Sequence, residues 1–238
     1  MTQAVVPLKD LVQAKTRLAG LLRPSERRAL AQAMVQDVLS VLAAHPEVGR
    51  VTLLSDDPGA GLLAANYGCD CLPERELGGA GLNALLARAV TRLLPGTGQP
   101  LLILHADLPL LGGDDISAVL AQQRHGGGLV IGCDREGRGT NLLAFTEESA
   151  VPFHFGPDSC ARHLAAARAA GVTAAILQRE GVALDIDGPA DMSSLLAALE
   201  GRVTGETAAL LCGTDLGARL ALALQPLVPA DPERIHRC

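Results

Sequence analysis

The sequence predicts a three-layer α/β fold with a mostly parallel sheet, and two observations lead to it. Short apolar runs such as VVPL, VTLL and LLIL alternate along the chain with segments whose apolar residues recur at helical spacing. The run at 101–104 is apolar throughout, as expected of a strand that is buried on both faces in the middle of a sheet. Strands that alternate with helices favour parallel pairing with helices on both sides.

The first half of the chain predicts strands and helices in regular alternation. A helix begins at Pro24, because proline suits the first helical position and Leu30, Met34, Val38 and Leu42 then follow at helical spacing. Strands are expected at 4–8, 51–54, 69–72 and 101–104. Further helices are expected within 58–68 and over 81–94.

The second half continues the alternation up to about residue 199. Asp114 and Asp115 can cap a helix at 115–124, and a further helix begins near Asp158. The runs LVIGC and LLAF are expected to be strands on either side of the loop GRGTN. The remaining elements are strands near 173–177 and 182–186 and a helix at 189–199.

A change of composition at Gly201 predicts two parts, an α/β domain at 1–200 and a C-terminal appendage at 201–238. Residues 206–224 predict one Ala- and Leu-rich helix, and the proline-rich tail from Pro226 is expected to be extended. Three roles stay open for the appendage. It packs on the sheet, covers a neighbour in a homodimer, or remains partly mobile.

Composition excludes several functional classes. The 238 residues suit one α/β domain, and the net charge of −6 argues against a general nucleic-acid binder, which presents a basic surface. The chain contains no run of about 18 uncharged apolar residues, so no membrane partner is expected. The spacing of the six cysteines matches neither a zinc site nor a C-x-x-C redox motif. They are expected to be reduced thiols, which favours a cytoplasmic location.

Carboxylates follow two of the apolar runs. Asp107 ends the LLIL segment, and Asp185 and Asp187 end the run VALDID. Open α/β sheets bind ligands beyond the carboxyl ends of their strands, and two carboxylates there can hold Mg²⁺ or Mn²⁺ between nucleotide oxygens. The pattern therefore indicates nucleotidyl transfer. The alternative is that Asp107 only ends a strand and that Asp185 and Asp187 are ordinary turn residues. One of Asp185 and Asp187 is expected to be such a turn residue.

The loop after the first strand carries Lys9, Lys15 and Arg17. It contains neither a Walker A sequence nor G-x-G-x-x-G, so it is not a standard phosphate-binding loop. Three cations at this position can nevertheless neutralise a triphosphate while the loop backbone approaches the base. The alternative is a solvated basic loop.

The segment FGPDSCARH suits an anion. Asp158 or Ser159 can cap the helix that begins there, and free N–H groups at a helix start attract phosphate or carboxylate. Three alternatives stay open: Ser159 is only a cap, His163 is a packing residue, and His105 on the central strand is a core histidine.

Six motifs together resemble one family. The chain contains K-x-x-x-x-x-K-T-R-L-A, GLN, ADLP, GTN, FGPDS followed by ARH, and DIDGPAD, in this order. The set is similar to the 2-phospho-L-lactate guanylyltransferase family of deazaflavin coenzyme F-420 biosynthesis, whose relatives use phosphoenolpyruvate or 3-phospho-D-glycerate. The resemblance covers roughly residues 3–199.

The resemblance implies a nucleotide-diphospho-sugar-transferase fold that joins GMP from GTP to a small phosphorylated three-carbon acid and releases pyrophosphate. It implies a metal site at Asp107 and Asp187, with Asp185 as the competitor for the second position. It assigns the catalytic residues Lys15, Arg17 and Asp107. The implied acceptor site comprises Thr140, Gly156 and Ser159. The implied GTP site comprises Pro7, Leu8, Lys9, Lys15, Arg17, Gly81, Leu82 and Asn83.

Two departures put the acceptor's identity in question. Asp158 stands where the family commonly has glycine, and Gly188 stands where it usually has threonine. Two alternatives to the implied function are a related enzyme for another nucleotide or acceptor, such as a molybdopterin or a sugar phosphate, and a non-catalytic nucleotide-binding regulator. The chain lacks the G-x-G-x-R-M-G loop of the former, and its intact acidic residues disfavour the latter.

Overall fold

The computed structural model describes residues 1–94, 96, 98–201 and 204–225. The described residues form one seven-stranded sheet. Its strands are β1 (Thr2–Pro7), β2 (Val48–Leu54), β3 (Asp70–Leu72), β4 (Leu101–Leu104), β5 (Leu129–Cys133), β6 (Thr140–Phe145) and β7 (Ala174–Leu177). Their order across the sheet is β3-β2-β1-β4-β6-β5-β7, which places LLIL in the centre as predicted.

Helices connect the strands and cover the sheet. They are α1 (Pro24–Ala44), α2 (Ala60–Asn66), α3 (Glu74–Leu77), α4 (Leu82–Leu93), α5 (Gly113–Gly126), α6 (Ser159–Ala169), α7 (Glu180–Ala183), α8 (Pro189–Ala198), α9 (Glu206–Cys212) and α10 (Asp215–Ala223). Short 3₁₀ turns lie at Leu11–Gln13, Thr16–Leu18 and Glu147–Ser149. Among the described residues, no helix has both the length and the apolar character needed to cross a lipid bilayer.

The predicted α/β fold with a mostly parallel sheet is confirmed. Strands β1, β2, β3 and β4 pair in parallel, as do β5 and β7. Strand β6 runs antiparallel to both β4 and β5. The six-residue loop 134–139 joins β5 to β6, and so short a connection allows only a hairpin, since a parallel return needs a longer crossover.

Apolar side chains fill both faces of the sheet. Leu102 and Leu104 of β4 pack with α1 and α5 on one face. Leu101 and Ile103 of the same strand pack with α4 and α6 on the other. Successive side chains of a strand point to opposite faces, so a strand that is apolar throughout serves both layers. This three-layer arrangement leaves the loops at the carboxyl ends of β1 and β4 free to carry polar groups.

The prediction of a strand at 182–186 is wrong. This segment begins within helix α7, whose Val182 and Ala183 N–H groups donate to the Arg179 carbonyl at 3.0 and 2.8 Å. The Val182 carbonyl accepts from Asn141 Nδ2 at 3.0 Å, and the Ile186 N–H donates to the Asp107 carbonyl at 3.3 Å. Local turns and side chains therefore satisfy the backbone of this buried apolar run, and β7 takes the position beside β5.

The predicted single helix at 206–224 is two helices, α9 and α10. The first ends at Cys212 with Gly213 as its C-cap, and Thr214 caps the second, because its Oγ1 accepts the Leu216 N–H at 3.2 Å. The described part of 201–238 packs on the domain. Leu211, Leu216 and Leu220 are buried in one cluster with Leu30 and Met34 of α1. The division at residue 200 stays a prediction, and the predicted extended tail from Pro226 lies outside the described residues.

Candidate active site

A cluster of opposite charges lies beyond the carboxyl ends of β1 and β4. The Lys15 ammonium hydrogen-bonds to Asp107 Oδ2 and lies 3.4 Å from Asp187 Oδ1. Arg17 Nη1 lies 3.4 Å from Asp187 Oδ2. Three segments that are far apart in sequence thus meet at the edge predicted from the sequence. We refer to Lys15, Asp107 and Asp187 as the charge cluster.

Asp57 holds the loop that carries Lys15. Its Oδ2 accepts the Leu11 N–H at 2.9 Å, and its Oδ1 accepts the Gly59 N–H at 2.8 Å. Lys15 itself adopts a left-handed conformation with φ 56°, which is unfavourable for a side chain with a Cβ atom. Asp57 is not among the site residues predicted from the sequence. Asp57 follows the VTLL strand just as Asp107 follows the LLIL strand, so the same sequence signal also marks Asp57.

Asp191 holds Asp187 in a similar way. Its Oδ2 accepts the backbone N–H groups of Asp187 at 3.0 Å and of Gly188 at 2.8 Å, at the start of α8. Its Oδ1 lies 2.7 Å from Arg135 Nη2. The Asp187 carboxylate is therefore carried on a fixed turn and is itself about half exposed, at 52% of its side chain. Asp191 is likewise not among the site residues predicted from the sequence.

Charge perturbs the pKa values within the cluster. Burial alone would lower the Lys15 pKa, but the charges of Asp107 and then Asp187 raise it above its ordinary value. Burial alone would raise the Asp107 pKa, but Lys15 and then His105 hold it below its ordinary value. Lys15 and Asp107 are therefore both charged at neutral pH.

Asp185 has a different environment. Burial, and then the charge of Asp107, raise the pKa of Asp185 above its ordinary value. Its Oδ1 accepts from Asn141 Nδ2 at 3.1 Å, whereas Asp187 contacts Lys15 and Arg17. Asp185 therefore ionises less readily than Asp107 and is engaged by a neutral amide.

The donor set suits a hard divalent cation. Mg²⁺ prefers oxygen ligands and usually binds one or two carboxylates together with substrate phosphates, not an all-protein cage. Within the described residues, no group of three or more His, Cys, Asp or Glu side chains is placed to hold an ion. Two carboxylates, Asp107 and Asp187, share the Lys15 ammonium as their cationic partner. The residues present therefore fit Mg²⁺ or Mn²⁺ if a nucleotide supplies further oxygens.

The predicted GTP residues lie in two segments. In the first, Pro7 ends β1, Leu8 is buried in the core, and Lys9 is exposed. Leu8 can therefore offer only its backbone to a ligand. In the second, Gly81 is exposed with φ 82° and precedes α4, a conformation that favours glycine. The carboxamide of Asn83 is hydrogen-bonded to the backbone of Phe155.

The predicted acceptor residues lie together around the start of α6. Thr140 and Ser159 are buried, and Gly156 is exposed with φ 122°. Thr140 Oγ1 lies 3.1 Å from Nδ1 of the buried His163. The predicted packing role of His163 thus includes a hydrogen bond to one of these residues.

The start of α6 is joined to the GRGTN loop. The Cys160 N–H donates to the Arg138 carbonyl at 2.9 Å. Asp158 adopts a left-handed conformation with φ 52°, which aspartate tolerates better than most residues but glycine adopts at no cost. This backbone conformation explains why glycine suits the position that Asp158 occupies.

Comparison with known proteins gives consistent matches over most of the chain. The family model described as "Guanylyl transferase CofC like" matches residues 2–209. A phosphoenolpyruvate guanylyltransferase of Conexibacter woesei is 38% identical over 205 residues, covering 86% of this chain and 91% of the relative. That of Sphaerobacter thermophilus is 39% identical over 194 residues, covering 82% and 92%.

Solved structures match the fold. A structure described as a nucleotide-diphospho-sugar transferase of Desulfovibrio desulfuricans has a TM-score of 0.78 at 19% identity and covers 93% of this chain and 97% of its own. A 4-diphosphocytidyl-2C-methyl-D-erythritol synthase of Anaerococcus prevotii has a TM-score of 0.56 at 10% identity, covering 84% and 96%. These two similarities confirm the predicted nucleotide-diphospho-sugar-transferase fold.

Proposed function

The chain belongs to the family of CofC-like guanylyl transferases, and on that premise we propose that it transfers GMP from GTP to phosphoenolpyruvate in coenzyme F-420 biosynthesis. The observation that carries this proposal is the charge cluster, where one lysine contacts two carboxylates at the ligand-binding edge of the sheet. The relatives' names support phosphoenolpyruvate over the two other acids that the family resemblance allows.

The reaction requires little proton transfer. A phosphate oxygen of phosphoenolpyruvate attacks the α-phosphorus of GTP and forms a new P–O bond. The bond from that phosphorus to the oxygen bridging to the β-phosphate breaks, and pyrophosphate leaves with the electron pair. The attacking phosphate is mostly ionised at neutral pH, because its second pKa is about 6. The protein must therefore supply charge neutralisation and in-line positioning, and a general base is not required.

The charge cluster meets these needs from the nucleotide side. We propose that Asp107 and Asp187 would hold Mg²⁺ or Mn²⁺, which would neutralise charge on the triphosphate when bound. Asp185 is the weaker competitor because its carboxylate is hydrogen-bonded to Asn141 and its pKa is raised. Lys15 then exchanges its carboxylate partners for phosphate oxygens. Arg17 and Lys9 are exposed beside the same loop and can contact the leaving pyrophosphate.

The two substrates are proposed to lie on different sides of the cluster. GTP contacts the backbone of Pro7 and Leu8 and the backbone of Gly81, Leu82 and Asn83, since the Asn83 side chain is hydrogen-bonded to Phe155. Phosphoenolpyruvate contacts Thr140, Gly156 and Ser159. Gly81 and Gly156 both have positive φ angles and lack a Cβ atom, so the backbone can approach each ligand closely.

We also propose a cytoplasmic location, which the free thiols of Cys69, Cys71, Cys133, Cys160 and Cys212 support. The homodimer stays a prediction.

Release of pyrophosphate tests the proposed function directly. The purified chain is incubated with Mg²⁺, one of GTP, ATP or CTP, and one of phosphoenolpyruvate, 2-phospholactate or 3-phosphoglycerate. We expect GTP with phosphoenolpyruvate to give the highest rate, because a site that hydrogen-bonds the edges of one base leaves polar groups unpaired with another. Equal rates with ATP, or no release above the buffer control with any pair, would contradict the proposal.

A further inference from the structure

The side chain of Asn83 joins the two proposed substrate sides. Its Oδ1 accepts the backbone N–H of Phe155 at 2.8 Å, and its Nδ2 donates to the backbone carbonyl of the same residue at 3.1 Å. Both polar groups of the carboxamide are thus used on one residue that lies 72 positions away. Paired hydrogen bonds of this kind fix orientation as well as distance. We refer to residues 78–83 as the nucleotide segment and to residues 153–159 as the acceptor loop.

Each end of this contact is connected to residues of a proposed substrate site. Asn83 is the second residue of α4, directly after Gly81 and Leu82, so a ligand that fixes these two residues also fixes the first turn of the helix. The Phe155 ring is buried and packs edge-on against His163, with ring centres 5.1 Å apart, and against His105 at 5.5 Å. A shift of the Phe155 backbone must therefore reach Gly156, which follows it in the chain.

The side chain of His163 also holds the acceptor loop. Nε2 of His163 accepts the His154 N–H at 2.9 Å, so the ring proton resides on Nδ1 and is directed to Thr140 Oγ1. Burial, and then electrostatic interaction with His154 and Arg162, lower the pKa of His163 to about 4 against a weaker effect of the Ser159 backbone. The neutral ring thus ties the acceptor loop to β6, and its hydrogen bonds among the described residues do not reach the nucleotide segment.

We propose that Asn83 is a positioning residue through which GTP increases the affinity for the acceptor acid. GTP bound along the nucleotide segment restricts the motion of the first turn of α4. The hydrogen bonds of the Asn83 carboxamide then restrict the motion of the Phe155 backbone, and hence of Gly156, which follows it in the chain. The coupling is reciprocal, so the acid increases the affinity for GTP by the same factor. This inference rests on the proposed function and adds to it a physical link between the two substrates.

Binding of phosphoenolpyruvate with and without nucleotide measures this coupling. The acid is titrated calorimetrically into the protein with Mg²⁺, alone or saturated with guanosine 5′-[α,β-methylene]triphosphate, which cannot transfer GMP. We expect the analogue to tighten acid binding by about 5- to 50-fold in the wild type, within the usual range of coupling between sites. Asn83→Ala keeps the backbone that is proposed to contact GTP and removes the two side-chain hydrogen bonds to Phe155, so it should reduce this ratio to near one while the analogue alone still binds.

His163→Asn is the matched control, because it loosens the same loop without touching the nucleotide segment. The asparagine amide can replace Nδ1–H toward Thr140 but leaves the His154 N–H without its acceptor. We expect weaker acid binding with and without the analogue, and an unchanged ratio between the two. Asn83→Asp, which keeps the acceptor for the Phe155 N–H and loses the donor, should give an intermediate ratio and carries the test if Asn83→Ala fails to fold.

Several results would overturn the inference. They are a ratio of one in the wild type, a wild-type ratio in Asn83→Ala, or loss of analogue binding in Asn83→Ala, which would make the Asn83 side chain a direct nucleotide ligand. Failure of the proposed function itself has a different signature, because the wild type would then bind neither the analogue nor the acid.

Discussion

The charge cluster and the acceptor loop are neighbours, yet different interactions hold them. Lys15, Asp107 and Asp187 are held together by opposite charges, and the Asp187 carboxylate is half exposed. The acceptor loop is held by neutral hydrogen bonds from Asn83 and His163 and by the buried Phe155 ring. Ionic contacts can be exchanged for a metal ion and phosphate oxygens, whereas the neutral hydrogen bonds carry no charge for which these ligands compete. We infer that substrates change the partners of the charge cluster, whereas they change only how tightly the acceptor loop is held by its existing partners.

The largest expected effect follows from removing one charge of the cluster. Asp107→Asn keeps the shape of the side chain but removes the carboxylate that contacts Lys15 and is proposed to bind the metal. We expect kcat to fall by about a hundredfold or more, as for the loss of one key electrostatic group. Steady-state kinetics with GTP and phosphoenolpyruvate measure this. Asp185→Asn serves as the control and should lower kcat by a smaller factor. A larger fall in kcat for Asp185→Asn than for Asp107→Asn would make Asp185 the more important carboxylate.

A smaller effect is expected on the acceptor side. Ser159→Ala removes a buried hydroxyl at the start of α6. A hydrogen bond to a charged partner contributes roughly 1.5–3 kcal/mol, so acceptor kcat/KM should fall by about tenfold to a hundredfold. The KM for GTP should stay close to its wild-type value. If the variant raised the KM for GTP and spared the acceptor, Ser159 would belong to the nucleotide side.

The neutral His163 ring, which hydrogen-bonds to His154 and Thr140, also predicts an effect of pH on the free energy of unfolding. Burial holds the His163 pKa at about 4, below its ordinary value of 6.5, so as the pH falls the unfolded chain takes up this proton first. The contribution of the neutral ring is complete above about pH 6.5 and is lost progressively toward pH 4, by about 3 kcal/mol. Urea unfolding of the wild type and His163→Asn between pH 7 and pH 4.5 measures the difference. Equal pH dependence in both proteins would exclude this role for His163.

The smallest expected effect concerns Asp158. Glycine at this position removes the left-handed strain and one negative charge beside the acceptor loop. Glu136, and then Asp158, raise the pKa of Arg138, so the Asp158 charge already has a basic neighbour. We therefore expect Asp158→Gly to lower the KM of the acceptor only a few-fold, with a smaller change in the KM of GTP. A larger change for GTP would place this residue on the nucleotide side.

The periodic spacing of apolar residues predicted the fold well, because the buried residues of each strand and helix recur at the spacing of that element. The all-apolar LLIL strand and the regular spacing from Pro24 both reflect burial, and both predictions are confirmed. The run at 182–186 misled because burial alone does not specify a strand. Its backbone partners are Asn141, Arg179 and Asp107, which no local pattern reveals.

The candidate site was predictable where residue chemistry shows in the sequence. Acids after apolar runs pointed to Asp107 and Asp187, which the fold brings together at Lys15. The residues that position this cluster were missed, because they act on the backbone of other segments. Asp57 holds Leu11 across 46 positions. The family resemblance named Asn83 as a GTP residue, but nothing in the sequence indicated its contact with Phe155 of the acceptor loop, 72 positions away. Sequence patterns reveal groups suited to chemistry more readily than the side chains that hold those groups in place.

The most direct test of the account follows the guanylyl group itself. The protein is mixed in excess with GTP labelled at the α-phosphorus, phosphoenolpyruvate and Mg²⁺, and the products are separated at successive times. The account predicts that the label moves into a phosphate-linked guanylyl–acid product as pyrophosphate appears, and that Mg²⁺ removal or Asp107→Asn slows this transfer by about a hundredfold or more. Label that stays in GTP, or that appears as GMP by transfer to water alone, would contradict it.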